Sequence, residues 1–210
     1  MRSKIIKDFH KLWRNEFLND KVTFLGNKIC KSPMDLWIYQ EILYDIKPDV
    51  VIECGTYMGG TAYYIASLMD IMNKGEVITM DIKQRKHPKH DRISYFDCMS
   101  TDADLIYTLN NRVKNKDAVL VILDSDHRKK NVLRELNIYS KFVTKGSYII
   151  VEDSDLNGHP TVYPQWRIGV QGPYEAAKEF LKSNKEFEID KSREKFLIGV
   201  VKSGFLKRIR

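Results

Sequence analysis

Asp49-Val50-Val51-Ile52-Glu53-Cys54-Gly55-Thr56-Tyr57-Met58-Gly59-Gly60-Thr61 is the stretch that decides the fold of this chain. Val50, Val51 and Ile52 are consecutive β-branched residues, which predict a strand buried on both faces, as in a parallel sheet. Glu53 closes that strand with a carboxylate, and Gly55, Gly59 and Gly60 then loosen the backbone where a helix must begin. A buried strand, an acid, a glycine turn and a helix N-terminus predict a nucleotide-type ligand seated beyond the carboxyl end of the strand.

Towards the N-terminus, Ile5, Phe9, Leu12, Trp13 and Phe17 recur at helical spacing and predict an amphipathic helix over 4–18, then a short loop around Gly26. Ser32 and Pro33 open a second helix with Leu36, Ile38, Tyr39, Ile42 and Leu43 as its apolar positions, and Lys47-Pro48 ends it. Residues 1–47 are therefore expected to be accessory helices within the same domain as 48–210. Towards the C-terminus strands and helices alternate. A helix follows the glycine turn, then come a strand over 77–80 closed by Asp81 and a short strand over 93–96. A helix over 102–113, an apolar strand over 118–123, a helix over 129–143 and a strand over 147–151 follow. Such alternation predicts a doubly wound, mostly parallel α/β sheet. After a Gly- and Pro-containing loop and a helix over 174–181, the segments 186–190 and 196–201 predict a closing hairpin, making one strand antiparallel.

With 210 residues, 43% of them hydrophobic and 30% charged, a single globular domain is expected. The apolar run over 118–123 is far short of the ~20 residues that a membrane-spanning helix needs. No apolar signal region follows the basic Met1-Arg2-Ser3-Lys4, so a cytoplasmic protein is expected. Cys30, Cys54 and Cys98 lack metal-type spacing and are expected to be reduced thiols, Cys54 in the core. The net charge of +7 is compatible with an anionic partner such as a membrane surface touched transiently. The basic clusters Arg85-Lys86-His87 and Lys207-Arg208-Ile209-Arg210 are short, however, and no stacking-aromatic pattern accompanies them. No nucleic-acid partner is expected, and a homo-oligomer is left open.

The ligand is narrowed by the strand ends. A dinucleotide site calls for G-x-G-x-x-G with an acid about twenty residues further on. Here the acid, Glu53, precedes the glycines, where it would repel a pyrophosphate but suit an amine or a sulfonium. That points to S-adenosylmethionine (SAM), with Asp81 placed to accept from the ribose hydroxyls. Asp124-Ser125-Asp126-His127 and Glu152-Asp153 end two further strands, so four carboxylates should meet at the same sheet edge. Like charges so close require a cation or raised pKa values. Oxygen donors suit a hard divalent ion such as Mg²⁺, with Asp124, Glu152 and Asp153 as preferred ligands.

Several segments together carry a family resemblance. They are Ser32-Pro33-Met34-Asp35-Leu36-Trp37-Ile38-Tyr39-Gln40-Glu41, the Ile52 to Thr61 motif, and Leu123-Asp124-Ser125-Asp126-His127. With them stand Val151-Glu152-Asp153, Asn157-Gly158-His159-Pro160 and Ser192-Arg193-Glu194-Lys195-Phe196-Leu197. From about residue 20 to the end, the chain resembles the cephalosporin hydroxylase / rhamnosyl O-methyltransferase family of class I SAM-dependent methyltransferases. The resemblance implies a three-layer Rossmann-like methyltransferase fold whose mostly parallel seven-stranded sheet ends in an antiparallel strand. It implies cofactor contacts at Glu53, Gly55, Tyr57, Thr61 and Asp81, with Thr56 and Gly59 in the same turn and Ser100 on the adenine side. Asp124, Glu152 and Asp153 match the family's magnesium ligands. The implied reaction is methyl transfer to a hydroxyl of a sugar, glycolipid or natural product. Cys54 and Met58 depart from the family motif, and 163–172 matches nothing assignable.

A base must take the hydroxyl proton. Asp126 is the first candidate, two residues past a metal ligand, followed by His127 and then His159. Trp13, Trp37, Tyr163 and Trp166 are candidates to wall the acceptor pocket. Among alternatives, an NAD-dependent oxidoreductase conflicts with Glu53 and the glycine spacing, and an iron hydroxylase lacks a two-histidine set. A binding protein without catalysis would have no need of Glu53, Asp81, Asp124, Glu152 and Asp153 together.

Overall fold

The computed structural model describes residues 1–16, 21–159 and 170–210. In chain order the elements are α1 (Arg2–Glu16), β1 (Thr23–Phe24), β2 (Asn27–Lys28), α2 (Pro33–Ile46), β3 (Val50–Cys54), α3 (Gly60–Met72), β4 (Glu76–Asp81) and β5 (Ile93–Asp97). They continue with α4 (Ala103–Val113), β6 (Val119–Leu123), α5 (Lys129–Tyr139), β7 (Tyr148–Val151), α6 (Pro173–Ser183), β8 (Phe187–Ile189) and β9 (Phe205–Arg208).

Every residue of β3 and β6 is buried, because helices cover both faces of the sheet. Side chains alternate across each strand. Val50, Ile52, Val119 and Val121 pack with Leu109, Leu136 and Phe180 of α4, α5 and α6. Val51, Leu120 and Ile122 pack on the other side with Ile38, Ile42, Ile65 and Met69 of α2 and α3. The result is three layers around a seven-stranded sheet of order β5-β4-β3-β6-β7-β9-β8, parallel from β5 to β7. The strand order reverses between β3 and β6, which opens a crevice at their carboxyl ends.

The closing hairpin is present, but not where the sequence placed it. β9 is Phe205–Arg208, antiparallel to both β7 and β8, whereas 196–201 forms no strand. Two contacts hold that apolar segment instead. The Val200 amide donates to Asp35 Oδ2 at 2.7 Å, and the Val200 carbonyl accepts from the Asp155 amide at 3.0 Å. The strand instead runs into the basic cluster that begins at Lys207: Phe205 and Leu206 are buried, and Arg208 donates to the Val143 carbonyl at 2.6 Å.

Ser32 caps α2 by accepting from the Met34 amide, and Lys47 ends it in a left-handed conformation before Pro48. The expected loop around Gly26 is a small hairpin, β1 against β2, with Phe24 edge-on to Tyr64 of α3 at 5.0 Å. The hairpin fits tightly against α3, since a Cβ on Gly60 would lie 2.0 Å from the Lys28 carbonyl oxygen. This close approach fixes the path of residues 29–32 across the strand ends. Of the residues assigned to α1 from sequence, Phe17 lies outside the described residues. No helix among the described residues is long and apolar enough to cross a membrane.

Candidate active site

The glycine turn after β3 bends sharply under the end of β6. Gly55 has φ +104, and a Cβ there would stand 2.1 Å from the Asp124 carbonyl oxygen. The Asp124 amide donates to the Cys54 carbonyl at 2.8 Å, which joins the two strand ends directly. Glu53 faces this junction with 1% of its surface exposed. Its Oε2 accepts from the Thr79 hydroxyl at 2.6 Å, and Thr79 in turn lies 2.7 Å from the Thr56 hydroxyl. Glu53 Oε1 is buried and has no hydrogen-bond partner. Burial pushes the Glu53 pKa up to about 8, with the Thr79 bond opposing. A buried carboxylate oxygen without a donor fits a cationic ammonium.

Asp81 ends β4 beside the turn. Its Oδ2 accepts from the Tyr57 amide at 2.8 Å and lies 3.4 Å from Arg85, and its Oδ1 accepts from the Lys83 amide at 2.9 Å. Tyr57 is half-exposed under the Arg85 guanidinium, which is 5.1 Å from the ring centroid. Gly59 takes φ +79 before α3, and Thr61 is buried in its first turn. Ser100 donates to Glu135 Oε1 at 2.5 Å, and Ser125 donates to the same oxygen at 2.6 Å. Glu135 thus ties the loops after β5 and β6 together.

The second half of the site is the acid cluster at the ends of β6 and β7. Asp124, His127 and Asp153 each offer a ligand atom, all within 4.8 Å of one another. His127 Nε2 lies 3.1 Å from Asp153 Oδ2. Burial lifts the Asp124 pKa to about 6, partly offset by Lys31. Burial opposes the charge on Asp153 too, but Arg14, His127 and Lys31 outweigh it and hold Asp153 well below the usual carboxylate range. Asp153 has a left-handed backbone, φ 51, a strained conformation that points to an imposed position. The two carboxylates offer oxygen donors that suit a hard divalent ion, and the His127 imidazole stands beside them.

Three expected site residues lie elsewhere or are already engaged. Asp126 turns away from the cluster: its Oδ1 accepts from the Arg128 amide at 3.0 Å, and its Oδ2 accepts from the Arg128 side chain. Burial opposes ionisation there, yet the Arg128 bonds keep its pKa low, which makes it a poor base. His159 stacks on Tyr174 at 3.9 Å and pairs with Glu175 at 2.5 Å, which commits it to the start of α6. Glu152 is beside the cluster, but one oxygen accepts from the Tyr39 hydroxyl and the other lies 3.1 Å from Lys31 Nζ. Trp37 is 58% exposed on α2, and Trp13 stacks on Phe9. Tyr163 and Trp166 lie outside the described residues. The Cys30 thiol is pushed up to about 11 by burial, as suits an unreactive cysteine.

The structure adds basic residues that no local pattern marked. Lys31 Nζ is 2.6 Å from Asp124 Oδ2. Arg14 Nη2 bridges Asp153 Oδ1 and Asp155 Oδ1, each at 2.8 Å, and buried His10 lies 3.2 Å from Asp155 Oδ2. All three come from the first 31 residues. Their only sequence signal is that each is a polar residue beside the apolar positions of an amphipathic or capped segment.

Strand order, glycine turn and acid-lined strand ends together define a class I methyltransferase-type fold. The chain belongs to the Rhamnosyl O-methyltransferase/CmcI family, whose pattern matches residues 16–209. A rhamnosyl O-methyltransferase of Mycobacterium leprae is 38% identical over 213 residues, covering 97% of this chain and 90% of the relative. A CmcI structure with Mg and SAM shares the fold at 18% identity and TM-score 0.62, over 94% of this chain and 84% of that one. The MycE methyltransferase with Mg, SAH and mycinamycin VI aligns at TM-score 0.55 and 18% identity, over 82% of this chain and 48% of that one.

Proposed function

We propose that this protein is a SAM-dependent, divalent-metal-dependent O-methyltransferase. Its acceptor is a hydroxyl on a small sugar-bearing molecule or natural product, met in the cytoplasm. The observation that carries this is the pairing, across the β3–β6 junction, of the unpartnered Glu53 oxygen with the Asp124–His127–Asp153 cluster. The rhamnosyl O-methyltransferase relative supports a sugar acceptor. Residues 1–47 belong to the same functional unit, because Arg14 and Lys31 complete the site.

When bound, SAM supplies a methyl group on a sulfonium leaving group, and a divalent ion supplies positive charge that favours ionisation of the acceptor hydroxyl. Glu53 would hold the cationic amino-acid end of the cofactor, while the turn carrying Gly55, Thr56, Tyr57, Gly59 and Thr61 would shape its bed. Asp81 and Ser100 would flank the nucleoside. Asp124 and Asp153 would hold the metal, with Glu152 alongside. His127 takes the acceptor proton, and Asp153 at 3.1 Å stabilises the imidazolium that forms. Orientation of the hydroxyl towards the methyl group supplies much of the remaining acceleration.

Isothermal titration calorimetry should find micromolar SAM binding and no NADH binding, and methylation of a rhamnosyl acceptor should stop with EDTA. His127→Gln should lower turnover by roughly 10²–10⁴-fold and leave SAM affinity unchanged. Failure of SAM to bind at micromolar concentrations would sink the assignment.

A further inference from the structure

We propose that Lys31 is a resident counter-ion of the acid cluster, and that by competing with a divalent cation it sets how tightly the site binds metal. This rests on the metal-assisted function proposed above. The Lys31 side chain is 3% exposed, and its ammonium lies 2.6 Å from Asp124 Oδ2 and 3.1 Å from Glu152 Oε2. The Tyr39 hydroxyl occupies the other Glu152 oxygen. Both oxygens of Glu152 and one of Asp124 are therefore engaged by the chain's own groups, while Arg14 serves Asp153 and Asp155.

Charge balance gives the arrangement a purpose. Among the described residues, Asp124, Glu152, Asp153 and Asp155 set four carboxylates at adjoining positions, with the Lys31 ammonium and the Arg14 guanidinium bonded to them and the imidazoles of His10 and His127 beside Asp155 and Asp153. Buried carboxylates without counter-charge are strongly unfavourable, so Lys31 lets the fold form before metal arrives. The same ammonium then repels an incoming cation and withholds two oxygen donors from it.

The position of Lys31 is imposed by the fold. The β1–β2 hairpin is pressed onto α3 at Gly60, Ile29 is 2% exposed, and Ser32 begins α2 as its cap. The residue between these anchors has little freedom to withdraw. Metal binding must therefore work against a fixed positive charge, which keeps the affinity moderate.

The test is Mn²⁺ binding to the purified protein, followed by electron paramagnetic resonance without SAM or acceptor, and Mg²⁺ binding by calorimetry. Lys31→Met should bind either ion at least tenfold more tightly than the wild type, and Mg²⁺ should raise its melting temperature by more. Lys31→Arg, which keeps the charge, should stay within about threefold of the wild type. Unchanged or weaker binding by Lys31→Met would overturn the proposal and make Lys31 a group that merely positions the carboxylates. Should Lys31→Met not fold, the Lys31 ammonium resonance of the ¹⁵N-labelled wild type decides. It should shift on saturation with Mg²⁺, and a resonance that stays put overturns the proposal. A wild type and a folded Lys31→Met that both take up no metal overturn the metal-assisted function itself, a result distinct from equal affinity in the two.

Discussion

Glu53→Gln should stabilise the ligand-free protein and weaken its hold on the cofactor, two effects of opposite sign from one substitution. Glu53 is 1% exposed, and burial raises its pKa from 4.5 to about 8. A raised folded-state pKa means that the folded protein binds the proton more tightly than the unfolded chain. The stability this contributes is complete below about pH 4.5 and is lost as pH rises to about 8. At pH 7 the loss is on the order of 3 kcal/mol, from about 1.4 kcal/mol per pKa unit. Glutamine keeps the volume and can still accept from Thr79, but it carries no charge to desolvate. Urea unfolding at pH 7 should therefore show the variant more stable by about 1–3 kcal/mol, with the gap closing towards pH 4.5. Calorimetry should show SAM binding weakened by roughly 10- to 150-fold, as expected for losing a charge-assisted hydrogen bond of about 1.5–3 kcal/mol. A variant less stable than the wild type at pH 8, or one that binds SAM undiminished, refutes the role given to Oε1.

Two further substitutions probe the scaffold. Gly55→Ala would set a Cβ 2.1 Å from the Asp124 carbonyl oxygen at a φ of +104, and neither strand end can yield. Thermal melts by circular dichroism should show a loss above about 3 kcal/mol or no folded protein, and a near-native melting temperature would contradict the geometry. Asp35→Asn should flatten the pH dependence of stability between about pH 4 and 7. Burial lifts Asp35 to about 7, so its contribution is complete below pH 3.8 and lost as pH rises through that range. An unchanged slope in urea unfolding across these pH values would count against Asp35 as a buried acid.

The sheet was legible because its central strands announce themselves. Val50-Val51-Ile52 and Val119 to Leu123 are continuous apolar runs that only a strand covered on both faces can use. The last strand was not, because hydrophobicity alone cannot separate an apolar loop from a strand. Residues 196–201 look more strand-like than Phe205-Leu206-Lys207-Arg208, yet the Asp35 carboxylate takes the Val200 amide that a ladder would need. Leu197 and Ser203 also have positive φ values of 66 and 54, which break any extended run. β9 ends in two half-buried basic residues, Lys207 and Arg208, whose long side chains reach out past the strand: Arg208 pairs with Glu186 at 2.6 Å.

The two halves of the site differ in legibility for the same physical reason. The donor side is local: one strand, one acid and one turn lie within a dozen residues, and their spacing carries the chemistry. The acid side is local only in its charges. Asp126 and His127 are neighbours, and which of them joins the cluster depends on Arg128, whose amide and side chain both claim Asp126. An acid two residues before a helix N-cap commonly accepts from the N-cap amide in a local turn, and this signal could have demoted Asp126. What balances the acids comes from more than ninety residues away, through Lys31 and Arg14, and no local pattern encodes so distant a pairing. An acid cluster in a sequence therefore poses a question of charge balance that a metal answers only in part. Here the N-terminal segment supplies the rest, so truncating it should disturb the chemistry at the ends of β6 and β7 and leave the turn at Gly55 intact.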